Sequence, residues 1–316
     1  MSFKRAAPIA RGPRLAGLVT LAVIAATGLA AASCAPVKSA KPPRPAQLAR
    51  KLEAIDLLPA DLDVVLRVDV ARLKAGLGPA FTEGLATRAG ASGADGFVAE
   101  SISKADTVWI GMRLADLDAG DRVLVAEGKL GEVHIERSEW KETTPAATME
   151  GVQILDRQGI VARASTGRII VADRRLYAFV SPAEVDATSR LLRDGPDAGR
   201  GDPAAVGLVS ADVRGHRLPR SLEKKYPSIA AVIAGITRVR GVAELGDAGV
   251  KVTIDVTAKG EEAAKRVDRF LVTVRDNATQ TRFAPMMKTA VVERVEAHVH
   301  VTATVPADMV IAALGE

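Results

Sequence analysis

Residues 250–258, VKVTIDVTA, alternate strictly. Val250, Val252, Ile254 and Val256 fall on one side, and Lys251, Thr253, Asp255 and Thr257 on the other. Successive strand side chains point to opposite faces, so this stretch predicts a sheet with one dry face and one wet face, the pattern of antiparallel sheets. Residues 261–274 then place Ala263, Ala264, Val267, Phe270, Leu271 and Val274 at helical spacing. An amphipathic helix of this kind covers the dry face. Residues 238–245 read as the hairpin partner of 250–258, across a turn at 246–249.

The earlier part of the chain has a similar rhythm. LLPADLDVVLRVDV (57–70) punctuates with Pro59, Asp61 and Asp63 and runs into a strand. A helix is predicted near 71–88, then a hairpin of 107–114 and 122–130. Strands follow at 151–155, 160–164 and 168–172, with a shorter helical segment near 132–140. Ser181-Pro182-Ala183-Glu184 has the spacing of a capping box with proline at the first helical position, predicting a helix over 181–193 that Gly195 ends. Residues 205–213 read as a strand, 218–236 as a helix and 294–305 as the last long strand, before a short helix from Pro306. The expected fold is α+β, with two related two-layer modules at 53–197 and 198–316. Each would be a mainly antiparallel sheet with helices packed on one face. The joint falls in GPDAGRGDP, 195–203.

The N-terminal 52 residues are of another kind. Residues 1–14 carry Lys4, Arg5, Arg11 and Arg14 and no acid; an uncharged apolar run spans 15–32 and ends in small residues before Cys34. Cations, apolar run and small-residue site, in that order, are the signature of an export signal over 1–33. An uncleaved transmembrane helix is the competing reading, although eighteen residues diluted by Gly17, Thr20, Thr27 and Gly28 are at the short end for a span. Residues 34–52 would form a tether with four prolines and five cations. In extended polyproline II form it reaches roughly 50 Å, and its cations suit anionic headgroups.

Cys34 is the single cysteine. Ala31-Ala32-Ser33-Cys34 resembles the lipobox of bacterial lipoproteins, with Ala31 where leucine is commonest. The resemblance implies acylation of Cys34 and a new N-terminus there. Ordinary cleavage after Ala32 or Ser33 is the other outcome. Ala35 stands where many inner-membrane lipoproteins carry a retention aspartate, so the resemblance implies a lipid-anchored place in the cell envelope, at the outer membrane facing the periplasm. Two or more acyl chains are what stable anchoring requires. LPADLDVVLRVDVARL, with its following helix and hairpin, is also similar in rhythm to bacterial lipoproteins with repeated α+β modules; the likeness carries no activity with it.

Charge sharpens the expected partners. Nine Lys or Arg and no acid lie in 1–51, so 52–316 holds 34 cations against 38 acids, net −4. A mildly acidic body with two Trp, two Tyr and five Phe lacks the footprint of a nucleic-acid binder. Membrane, through Cys34, and an envelope protein are the partners expected.

Few residues suggest chemistry. His298 and His300 share a strand face with Glu296, a partial ligand set for a metal that His216 or Glu296 would have to complete. Asp116, Asp118, Asp121 and Glu127 are spaced like a calcium loop, but glycine and aspartate are reversed at its tight turn. Arg200-Gly201-Asp202 and Asn277-Ala278-Thr279 match short adhesion and glycosylation spellings, and turn chemistry explains the first. No nucleophile elbow, zinc-protease helix, phosphate loop or dinucleotide fingerprint occurs. The reading is therefore a non-enzymatic binding or structural protein without a cofactor, with a ligand or metal carrier using His298 and His300 as the alternative.

Overall fold

A computed structural model describes residues 52–79, 81, 83–84, 96–114, 122–136, 138–143, 151–157, 167–197, 207–214, 220–278 and 281–310. The leader, Cys34, the tether to residue 51, the strand expected at 160–164 and the joint at 198–203 lie outside them.

The fold is α+β. The strands are β1 (Val64–Asp69), β2 (Thr107–Met112), β3 (Arg122–Glu127), β4 (Trp140–Glu142), β5 (Val152–Arg157), β6 (Arg168–Ala172) and β7 (Leu176–Val180), followed by β8 (Val209–Arg214), β9 (Ile236–Gly246), β10 (Gly249–Ala258), β11 (Val291–Val295) and β12 (His298–Val305). The helices are α1 (Val70–Leu77), α2 (Gly96–Lys104), α3 (Val185–Asp194), α4 (Arg220–Lys225), α5 (Pro227–Ile233), α6 (Glu261–Asn277) and α7 (Ala284–Lys288). Short 3-10 turns occupy Ala54–Leu57 and Pro182–Glu184.

The strands among the described residues join one antiparallel sheet in the order β11-β12-β10-β9-β8-β1-β2-β3-β7-β6-β5-β4. Where two sheets were expected, β1 and β8 pair directly, Val64 opposite Val213 and Val68 opposite Val209, and fuse them into one. An unpaired β1 edge would expose a row of backbone groups beside an equally unpaired β8, and each satisfies the other.

Registry explains the core. Val64, Val213, Val239, Val256 and Val299 stand directly opposite one another across β1, β8, β9, β10 and β12. This valine rung is buried under α6 through Ala263, Ala264 and Val267. The expected helix on the dry face of β10 is thus in place, and it ends at Asn277.

The β1–β7 part departs from the two-layer expectation. Its sheet is covered on both faces. Val123, Val125, Ile170, Ala178 and Val180 pack with Leu57, Leu58 and Leu62 on one side. Leu124, Ala126, Ile169 and Tyr177 pack with Phe97, Val98 and Ile102 of α2 on the other. Strands apolar on both faces must be buried on both.

Four local expectations also change. Residues 132–136 and 138–139 form no helix; Val133 and Ile135 pack against the second core ahead of β4, and Tyr177 donates to the Gly131 carbonyl at 2.8 Å. The helix expected over 218–236 breaks at Pro227, which has no N–H for a continuing helix. The strand expected over 294–305 is the hairpin β11–β12, its turn formed by Glu296, at φ 51°, and Ala297. Ser181 and Glu184 form no capping box. The Ser181 Oγ accepts from the Arg122 N–H at 3.0 Å, and Glu184 is committed to Arg113.

Candidate functional site

The face of the β8–β12 sheet opposite the valine rung is polar. Directly paired residues of an antiparallel sheet share a face, so one rung reads Asp212, Arg240, Asp255, His300 and Glu293 across β8, β9, β10, β12 and β11. Acid, base, acid, imidazole and acid follow one another. The rung below reads Arg214, Arg238, Thr257, His298 and Val295. The rung above reads Ser210, Val242, Thr253, Thr302 and Val291. None of the buried apolar clusters among the described residues includes a side chain of these three rungs.

Asp212 anchors one end. It is buried, and Arg238 grips both its oxygens, Nε to Oδ1 at 2.7 Å and Nη2 to Oδ2 at 2.9 Å, with the Arg214 Nε at 3.6 Å. The fork-to-carboxylate geometry gives two charge-assisted bonds. Arg240, exposed, has no hydrogen bond or ion pair within the described residues. At the other end the His300 Nδ1 lies 2.6 Å from the Asp255 Oδ1, and the His298 Nδ1 lies 3.5 Å from the Thr257 Oγ1.

His298 and His300 thus do share a face, as their spacing requires. Glu296 does not lie on that strand face: it occupies the β11–β12 turn. No group of three His, Cys, Asp or Glu converges among the described residues. His216, Asp116, Asp118, Asp121, Thr279 and the Arg200-Gly201-Asp202 tripeptide lie outside them. Glu127, the twelfth position of the calcium-like spacing, is held by the Arg175 Nη1 at 2.8 Å, and the Arg175 Nη2 donates to the Leu52 carbonyl at 2.8 Å. Arg175 thereby ties Leu52, the first described residue, to β3.

Other charged groups knit the sheet ends. Arg113 donates to both oxygens of Glu184, at 2.5 and 3.1 Å, and pairs with Asp61 at 3.0 Å. The Glu184 side chain is 2 % exposed. Its hydrogen bonds to Glu184 and Asp61 hold the Arg113 proton more tightly than usual against the opposing effect of burial. Arg168 grips Asp156 at 2.7 and 3.0 Å, and Thr143 donates to the same carboxylate at 3.0 Å. Burial raises the Asp156 carboxyl, but Arg168 and Thr143 together pull it below the ordinary carboxylate range.

The row Trp109, Arg67 and Ser210 was not visible in the sequence. These residues face one another across β2, β1 and β8, on the polar-rung side, where the first core ends. Nothing in the local pattern signals it, because the three come from distant parts of the chain.

Among the described residues no helix is long and apolar enough to cross a membrane. Comparison with protein-family models gives no match, and comparison with curated proteins gives none. Among solved structures, crystal form I of TP0453 is similar over 84 % of this chain and 97 % of that one, at 8 % identity and a TM-score of 0.52. Crystal form III of TP0453 is similar over 84 % and 98 %, at 8 % identity and a TM-score of 0.51. What this chain has in common with TP0453 is the fold: an α+β arrangement on a large antiparallel sheet.

Proposed function

We propose that the chain is an exported envelope lipoprotein, anchored by acylated Cys34, that binds a protein partner on the polar face of β8–β12 and performs no catalysis. The observation that carries this reading is the charged rung Asp212, Arg240, Asp255, His300 and Glu293, which lies outside every buried cluster among the described residues. A face with charges of alternating sign favours a partner of complementary pattern and disfavours a single-sign polymer. The basic leader, the apolar run and the small residues before Cys34 support export and acylation. Ala35 supports sorting to the outer membrane, and the proline-rich tether gives the body room to meet a partner off the bilayer.

We further propose that the body arose as two related modules. Read outward from the β1–β8 pair, both sides begin strand, hairpin: β1-β2-β3 and β8-β9-β10. Both then take in a second hairpin with its later strand inside, β7-β6 and β12-β11. This matching order supports duplication with fusion of the sheets.

The intact mass of the membrane-extracted protein tests the anchor. Residues 34–316 plus acyl groups are expected, and Cys34→Ala is expected to lose them. A mass starting at Met1, or an unacylated start near Ser33 or Cys34, overturns the anchor. A photo-crosslinking residue at Arg240 tests the face: a discrete adduct in whole envelopes is expected, and none from the same residue at Lys265 on α6. Equal labelling from both positions overturns the binding face.

A second reading, a metal site at His298 and His300, has one supporting observation, the Asp255 oxygen 2.6 Å from His300. Zinc and copper titrations of the wild type and the His298→Ala/His300→Ala variant decide it, and identical binding ends it.

A further inference from the structure

Arg67 lies at the middle of β1, and its side chain is 13 % exposed. A guanidinium carries five N–H donors and never gives up its charge. In this position only long contacts meet it among the described residues. The Gly207 carbonyl is 3.5 Å from Nη1, and the Asp69 Oδ2 is 3.7 Å from Nη2. Asp69 has another commitment, since its Oδ1 accepts from the Arg72 N–H at 2.9 Å to cap α1. Good charge-assisted bonds of this kind run about 2.7–2.9 Å, so Arg67 is poorly matched for a cation so far from water.

Its two neighbours in the row carry donors without acceptors among the described residues. Trp109 stands opposite Arg67 on β2, with its ring 5.9 Å from the guanidinium carbon. Ser210 stands opposite on β8. Trp109 is 8 % exposed and Ser210 is 1 % exposed, and neither the indole Nε1 nor the Ser210 Oγ has a hydrogen-bond partner among the described residues. Buried polar atoms are almost always paired, and orphans ask for an explanation. One orphan alone is met by an ordered water. A row of three donors with a charge at its centre suits a negative acceptor, because the long contact to Asp69 compensates the Arg67 charge only in part and water adds no charge of its own. The acid on the neighbouring strand, Asp212, is already gripped by Arg238 and Arg214. Arg240, unpaired within the described residues, sits in the next rung beside Ser210's strand.

We propose that Trp109, Arg67 and Ser210 form a binding site for a single oxyanion, a phosphate or carboxylate group. Arg67 supplies the charge, and the indole N–H and the hydroxyl fix orientation. The site lies where the polar face meets the first core. It does not rest on acylation of Cys34 or on a protein partner, so failure of the mass or crosslinking tests leaves it standing.

The full chain, detergent-extracted and carrying ¹⁵N-tryptophan, gives two indole N–H resonances, one from Trp109 and one from Trp140. Trp140→Phe assigns them. Sodium phosphate and sodium acetate are titrated in parallel against sodium chloride at matched ionic strength. A saturable downfield shift of the Trp109 resonance is expected with phosphate, acetate or both, with Trp140 unmoved. Which anion saturates first identifies the group. Arg67→Gln is expected to lose the shift. Ser210→Ala, a smaller change inside the sheet, is expected to weaken binding about tenfold, the effect of one hydrogen bond to a charged group. A Trp109 resonance that stays still in both anions, moves equally in chloride, or responds unchanged in Ser210→Ala overturns the site.

Discussion

Removing Arg113 while leaving Glu184 in place tests how the β1–β7 part is held. The Glu184 carboxylate is almost fully buried, and the bidentate Arg113 fork is its main partner. Truncating one member of such a pair strands a charge in an apolar setting and costs about 3–5 kcal/mol. The Arg113 side chain is 28 % exposed. Water therefore fills part of the space it vacates, and the cost of Arg113→Met belongs near the low end, about 3 kcal/mol. For a body of this size each kcal/mol lowers Tm by about 2–4 °C, so the drop is about 6–12 °C. Urea unfolding followed through the buried Trp109 and Trp140 measures it. The double variant Arg113→Met/Glu184→Gln removes the stranded charge and is expected to regain about 1–2 kcal/mol over Arg113→Met. An Arg113→Met variant within about 0.5 kcal/mol of wild type would refute the reasoning. So would a double variant no more stable than the single one, because the cost would then come from lost packing rather than from charge.

Further outcomes follow from other sites. Gly249→Ala is expected to destabilise by about 1–3 kcal/mol in the same assay, because Gly249 sits at φ +131° and an added Cβ would collide with the Val305 carbonyl oxygen. Gly111→Ala places a Cβ 2.5 Å from the Leu62 Cδ1 and 3.1 Å from the Leu58 Cδ2, and its overpacking costs about 1–3 kcal/mol, read as a fall in Tm. Asp156 has a folded pKa below its unfolded one. Its contribution is therefore present above about pH 4 and fades as pH falls through the lower folded value. The stability gap between wild type and Asp156→Asn should be widest near pH 6 and shrink below pH 4; a gap independent of pH rules out the linkage.

Much of the β8–β12 part was legible. The alternation of 250–257 fixes which side of β10 is dry, and the apolar stripe of 261–274 supplies the helix that covers it. The wet-face placement of Asp255, His298 and His300 follows from the same period. Glu296 escaped because the two-residue turn it forms with Ala297 lacks the Gly or Asn that usually announces one. β7, LYAFV, went unrecognised because Tyr177 and Ala178 enter opposite cores, leaving no alternation to read. The fusion of sheets through β1 and β8, and with it the row of Trp109, Arg67 and Ser210, is a matter of long-range register. No window of sequence contains it.

The β1–β8 pairing has a consequence for how the chain would mature if it is exported as proposed. β1 emerges early, yet one of its two edges has no mate until β8 arrives, so Val65 waits for Asp212. Pairings this distant in sequence are slow to close. A chain threaded N-terminus first through a translocase would spend that interval with an open strand edge, available to chaperones or to a β1 of another molecule. Severing the chain between β7 and β8 would not release two finished domains. It would yield two halves, each with a raw edge, expected to re-associate with each other in preference to standing alone.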